Sequence, residues 1–215
     1  MKLLHKMLLV MASLTLLLVA GVGSWLFLYM GDLPEFGHLS QFAPNTQSVV
    51  SDRCLAGPST SIPFERIGDP LKNALATAEP AQSLPYEIAR SLMCNHLGGM
   101  VKYHLNEARL SWHIRMHFSQ QQIFTIYANR AYYGEGITGV ERASQEFFHK
   151  EPDALSAGEA ALLAGLLRAP GIYSPHRHPE RALQRRNKVL EEMVAQGKLS
   201  ASEAAKLEAS PIAVQ

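Results

Sequence analysis

The chain has 215 residues, with 20 Lys and Arg against 19 Asp and Glu, for a formal net charge of +1. That length accommodates one well-buried domain rather than two, and the near-neutral balance leaves no electrostatic footprint for nucleic acid. Its two cysteines, Cys54 and Cys94, belong to no CxxC pattern and no Cys/His cluster, which argues against a zinc or iron–sulfur centre.

In chain order, the first predicted element is a membrane anchor. Met7 to Met30 are apolar, small or Ser/Thr residues without a charge, and roughly 24 residues at ~1.5 Å rise cover a ~30 Å hydrocarbon core. Lys2, His5 and Lys6 precede the run, while Asp32 and Glu35 follow it. This asymmetry assigns residues 1–6 to a cytoplasmic tail, 7–30 to a single transmembrane helix and the remainder to the outside. The competing reading is a cleaved signal peptide, for which Ala20–Gly23 offers small residues. Continuation of the apolar run through Trp25, Leu26, Phe27 and Leu28 speaks against it. Outside the cytoplasm a Cys54–Cys94 bridge is chemically permitted. Two free buried thiols are the alternative, and spacing does not decide between them.

Residues 31–64 read as a polar connector with Pro34, Pro44, Pro58 and Pro63 and one short β-like run, Gln47-Ser48-Val49-Val50. From residue 65 to 215 the signals are helical, giving a mostly α domain of about six to eight helices. Between Val101 and His117 the residues Leu105, Ala108, Trp112 and Met116 align on one face. Three capping boxes follow, Ser119 with Gln122, Ser156 with Glu159, and Ser200 with Glu203. Behind the first lie Ile123, Ile126, Tyr127 and Arg130; behind the second, Ala160, Leu163, Ala164 and Leu167, with Pro170 marking the stop. A stretch around Val140, Ala143 and Phe147 is amphipathic. Pro179 opens another helix with Leu183, Leu190, Met193 and Val194 on one side, and Gly197 closes it.

Particular residues carry the reading further. The segment Gln122-Ile123-Phe124-Thr125-Ile126-Tyr127-Ala128-Asn129-Arg130-Ala131-Tyr132-Tyr133-Gly134 resembles the K-x-x-I-L-x-x-Y-L-N motif of glycosyltransferase family 51 and its continuation R-x-Y-F-G. Gly139 to Phe148 is similar to G-V-x-x-A-A-x-x-Y-F-G, and Leu155–Leu166, Ala169–Pro175 and Arg185-Arg186-Asn187-Lys188-Val189-Leu190 continue the series. Members of this family polymerise lipid II into peptidoglycan glycan strands. The resemblance implies a lysozyme-like helical glycosyltransferase domain beyond the anchor. Ile123, Tyr127, Leu163 and Leu190 are residues any helical core would use, whereas Asn129 and Arg185 are expected to line or brace a site.

The first three motifs depart from the family pattern. Glu79 stands at the position of the catalytic glutamate of E-D-x-x-F-x-x-H-x-G, but Pro80 replaces the aspartate and the rest is missing. The second motif, S-T-I-T-Q-Q-L-A-K/R, corresponds to Gln82–Arg90, with Tyr86-Glu87 in place of the paired glutamines. The mobile segment between the two, part of a membrane-facing jaw, is absent, so the jaw is reduced. The third, R-K-x-x-E, corresponds to Tyr103-His104-Leu105-Asn106-Glu107.

What the resemblance implies is an acceptor sugar hydroxyl attacking a lipid-diphosphate-linked donor. That chemistry asks for an ionised carboxylate as base, and Glu79 is the candidate. The departing diphosphate asks for positive charge, with Arg90 first and Lys102 and His104 next. Glu107 is a second catalytic candidate, either holding a divalent metal (Mg or Mn) or orienting those cations. Ser83, Glu87, Asn129 and Arg185 complete the expected sugar and diphosphate contacts. Expected partners are lipid II, the nascent glycan strand, the membrane and cell-wall synthase proteins. The expected location is the bacterial inner membrane, single-pass, with the domain in the periplasm. The alternative is a non-catalytic relative that binds lipid II, glycan or a synthase; retention of both glutamates and Arg90 favours the enzyme, and loss of the jaw favours the binder.

Overall fold

The computed structural model describes residues 2–30, 36–45, 48–50, 59–93, 99–211 and 214. Cys54 and Cys94 lie outside the described residues, and the disulfide question with them. The chain is predominantly helical, as expected. Helix α1 (Lys2–Met30) is uninterrupted, and its Lys6–Trp25 portion is long and apolar enough to cross a membrane and is not covered by the rest of the chain. A 3-10 turn, Gly37–Phe42, then buries Leu39 and Phe42. The β-like run forms strand β1 (Ser48–Val50), which pairs antiparallel with β2 (Ser59–Ser61), placing Val49 opposite Thr60.

Helix α2 (Asp69–Ala78) starts after Gly68 with Pro70 in its first turn, where a missing N–H costs nothing. It ends at Glu79, which has left the helical region, and Pro80 prevents continuation. Residues 80–83 make one tight turn into α3 (Leu84–Leu92), followed by α4 (Met100–His117) and α5 (Gln120–Arg130). A small hairpin, β3 (Tyr132–Gly134) and β4 (Ile137–Thr138), was not signalled by the sequence; it is too short to show a period-2 pattern. Then come α6 (Val140–Phe148), α7 (Ala157–Leu166), α8 (Pro179–Ala195) and α9 (Ala201–Glu208). All three capping boxes form, each serine Oγ accepting from the backbone N–H three residues on, and start α5, α7 and α9.

Two apolar clusters hold the domain together. One joins α2, α7 and α8 through Leu71, Leu75, Leu163, Val189 and Leu190. The other joins α3, α4 and α5 to the 3-10 turn through Phe42, Ile88, Leu110, Ile114 and Ile126. Two expected faces need correction. Helix α7 is buried nearly all round, from Ala160 to Leu166, rather than along one stripe, because it is the central helix. Helix α4 is turned over: it buries Asn106, Glu107, Leu110, Ser111 and Ile114, whereas Trp112 and Met116 are 57% and 65% exposed. The apolar side of α4 faces outward because the inward side must deliver a carboxylate to α3.

Helix α5 is pinned by Asn129, which is fully buried. Its Nδ2 donates to the Phe42 and Ile62 carbonyls, both at 2.8 Å, and its Oδ1 accepts from the Ile62 N–H at 3.2 Å. Ser59 Oγ donates to the Asn129 carbonyl at 2.8 Å. Gly139 passes this junction at φ +86, and a Cβ there would come within 2.3 Å of Ser59 Oγ. Asn129→Ala would leave three backbone groups buried without partners, at ~1–3 kcal/mol each before relaxation. A net loss of about 3 kcal/mol is therefore expected in urea unfolding, against ~1 kcal/mol for the cap variant Ser119→Ala. An Asn129→Ala midpoint no lower than that of Ser119→Ala would refute the clamp.

Candidate active site

The site is assembled from the C-terminal end of α2, the following turn, α3 and α4. Helices α3 and α4 pack together, and Arg115 of α4 donates to the Gln82 carbonyl while its guanidinium lies 5.6 Å from the Tyr86 ring centroid. The turn that follows Glu79 is thereby tied to α4. Ser83 Oγ donates to the Pro80 carbonyl at 2.7 Å and lies 3.3 Å from Glu79 Oε2.

One turn further along α3, Arg90 is gripped by two carboxylates. Its Nε and Nη2 each lie 3.0 Å from Glu107 Oε1, and its Nη1 lies 3.0 Å from Glu87 Oε1. The second oxygen of Glu107 accepts from His104 Nδ1 at 3.2 Å. The Glu107 side chain is 9% exposed and that of Arg90 is 54% exposed, so the pair has a buried anion and an outward cation. Such a geometry fixes a guanidinium in place while leaving one edge toward solvent.

Glu79 has a raised proton affinity. Burial is the main cause and the charge of Glu87 the second, while the Ser83 hydrogen bond and the charges of Arg168 and Arg185 oppose the shift. Tyr127 of α5 is also raised, chiefly by burial and then by Tyr133, Glu79 and Glu87, which places its phenol in the same electrostatic environment as both carboxylates. The structure thus brings Glu79, Ser83, Glu87, Arg90, His104 and Glu107 into one neighbourhood, with Arg185 acting on Glu79 from α8.

Two expected contacts are placed elsewhere. Asn129 does not reach a substrate: its amide is consumed by backbone groups, and it braces α5 instead. Lys102 lies on α4 without an ion pair or hydrogen bond among the described residues and is not drawn into the cluster. Among the described residues the buried Arg185 Nε has no hydrogen-bond partner, and its side chain lies over Gly165. Two residues were missed. Tyr127 reads as an ordinary core aromatic, and Arg168, a cation in the turn two residues past the largely apolar α7, belongs to no motif.

The donor set does not suit a metal held by Glu107. Both of its oxygens are engaged, by Arg90 and by His104, and among the described residues no group of three His, Cys, Asp or Glu side chains is arranged around a common point. Of the two roles expected of Glu107, holding a Mg or Mn ion or orienting the neighbouring cations, these contacts agree with the second. What the arrangement can do is accept a proton at Glu79 and offer positive charge at the outward edge of Arg90, where Glu87 pairs with Nη1.

Comparison with known proteins gives this geometry a context. The transglycosylase family profile matches residues 86–194. Penicillin-binding protein 1A of Aquifex aeolicus is 48% identical over 93 residues, 43% of this chain and 13% of that protein. Penicillin-binding protein 1C of Escherichia coli is 40% identical over 115 residues, 54% of this chain and 14% of that one. Penicillin-binding protein 2D of Bacillus subtilis is 32% identical over 142 residues, covering 66% and 20%. The crystal structure of penicillin-binding protein 1A from Haemophilus influenzae aligns over 45% of this chain and 14% of its own, at 32% identity and a TM-score of 0.43. The chain matches a fifth or less of the length of these relatives.

The raised proton affinity of Glu79 yields a direct test. Followed by carbon NMR of labelled glutamate carboxyls, Glu79 should titrate above the ~4.3 of an unperturbed glutamate. Titration at or below that value would mean that the opposing arginines outweigh burial.

Proposed function

This chain belongs to the transglycosylase family, and from that premise we propose that it is a peptidoglycan glycosyltransferase that polymerises lipid II into glycan strands. In this reading Glu79 takes the proton from the acceptor sugar hydroxyl as its oxygen bonds to the anomeric carbon of the donor. The anomeric carbon–oxygen bond to the diphosphate breaks, and the lipid diphosphate leaves with the electron pair. Arg90 receives the growing charge on the diphosphate oxygens, held in register by Glu107, with Arg185 as a supplementary cation. Ser83 orients Glu79, and His104 keeps Glu107 turned toward Arg90. The observation that carries the reading is that Glu87 links the two groups: its charge acts on Glu79, and it pairs with Arg90, whose outward guanidinium is braced from behind by the buried Glu107.

The raised affinity suits a general base, whose efficiency is greatest when its pKa lies close to the working pH. Only the ionised form accepts the proton, so the rate should fall as pH drops through the Glu79 pKa. Because that pKa is raised, the acid limb should lie above the ordinary carboxylate range. In this reading α1 crosses the inner membrane, and the exposed apolar side of α4, which touches α1, lies toward the bilayer.

The second reading, a non-catalytic relative that binds lipid II, glycan or a cell-wall synthase, is favoured by one observation: Arg90 is already engaged by two carboxylates. Polymerisation of lipid II by the detergent-purified full chain, resolved on a gel that separates glycan strands, decides between the two. Glu79→Gln should lower the rate roughly 10²–10⁴-fold with lipid II binding little changed, whereas Arg90→Ala should weaken binding and turnover together. Binding without polymer from the unmodified protein would favour the second reading, and undiminished polymerisation with glutamine at position 79 would remove the base. For topology, a reporter active only outside the cytoplasm and fused after Gln215 should be on, and high-salt washing should leave the protein in membranes. A soluble mature protein starting near residue 23 would overturn the anchor.

A further inference from the structure

Arg90 is held unequally from its two sides. Glu107 binds it through Nε and Nη2, is nearly buried, and is fixed in turn by His104. Pulling the guanidinium away from Glu107 would leave an uncompensated buried charge, which is strongly disfavoured. Glu87 binds only Nη1, from one turn earlier on the same helix, and its side chain is 34% exposed. Pairs of that kind, partly solvated and three residues apart on a helix, are weak. An anion approaching from solvent therefore meets Glu87 first, on the one edge of the guanidinium that faces outward.

We propose that Glu87 is a built-in competitor for the leaving-group site: it occupies the outward edge of Arg90 and must be displaced before a diphosphate binds there. The inference rests on the assignment of Arg90 to the diphosphate made above. Displacement does not end the effect. Glu87 is tethered to the same helical turn, so its negative charge stays beside the bound diphosphate and repels it. The chain thus lowers its own affinity for diphosphate-linked lipids, both substrate and released carrier, through a single carboxylate where the family pattern carries a neutral glutamine. Glu87 acts through Arg90, as a positioning residue. The same carboxylate also faces Glu79, the neighbour whose proton affinity it raises.

The test uses the full chain in detergent micelles and a short-chain polyprenyl diphosphate as the probe, with binding measured by calorimetry. Glu87→Gln keeps the shape and one acceptor oxygen but removes the charge. It should tighten probe binding about tenfold, the effect of a neighbouring like charge at partial exposure. The KM for lipid II should fall in parallel, and the acid limb of kcat should move to lower pH because Glu87 no longer raises Glu79, a pattern that a merely structural role would not produce. Glu87→Ala, as a second variant, should tighten binding in the same direction, with retained helicity and melting temperature confirming folding. In an Arg90→Ala background, Glu87→Gln should change probe affinity less than about twofold. The proposal is overturned if both Glu87 variants bind the probe no tighter than the unmodified protein, if the gain persists without Arg90, or if no variant binds the probe at all. Tighter probe binding with no polymer from any variant would keep the competitor and sink the polymerase. Polymer from the unmodified protein with probe affinity unmoved by Glu87→Gln would do the reverse.

Discussion

A single buried carboxamide determines where the rest of this domain can sit. Asn129 bonds to the backbone at Phe42 and at both polar groups of Ile62, three contacts from one side chain in a fully buried position. Unsatisfied polar groups at that depth are costly, so these strand and turn segments have no cheap alternative arrangement. Helix α5 is held against the connector as a result, and α5 is the element that both apolar clusters share: Ile126 belongs to one, Ala128 to the other. Everything that forms the site hangs from one of those clusters or the other.

The two carboxylates at the centre show how environment divides the work between identical side chains. Glu107 is the more deeply buried, yet its oxygens are filled by a guanidinium and an imidazole, so it acts as an anchor. Glu79 stands at a helix end and, among the described residues, its side chain has only the Ser83 hydroxyl as a hydrogen-bonding partner; burial raises its proton affinity and the charge of Glu87 adds to the effect. A chemically active group needs that kind of incomplete satisfaction, whereas a structural one needs its lone pairs filled. Residues 80–83 carry the chain from Glu79 into α3 in one short turn, and Arg115 reaches from α4 to hold that turn at the Gln82 carbonyl.

Local sequence chemistry settled much of this before any tertiary contact. The three capping boxes, Pro170 after α7 and Gly197 after α8 at φ +69 punctuate the chain by interactions within a few residues, and such interactions survive in any fold. The apolar length of α1 follows from composition alone. The ordered motifs from Gln122 to Leu190 identified the family because they depend on residue identity in order, and Glu79, Arg90 and Glu107 were legible as candidates by the same route.

The tertiary structure decided which partners such residues meet. The orientation of α4 could not be read from its period, because two faces are plausible at 3.6 residues per turn and the buried one is the less apolar. Asn129 reads in sequence as a residue that lines or braces a site; only the backbone at Phe42 and Ile62, 87 and 67 residues away, makes it a clamp. Likewise Glu107 reads in sequence as either a metal ligand or a residue that orients cations, and in the fold both of its oxygens are taken by Arg90 and His104. In each case the sequence specified a chemical capacity. Which partner filled that capacity was set by long-range packing, which no local pattern encodes.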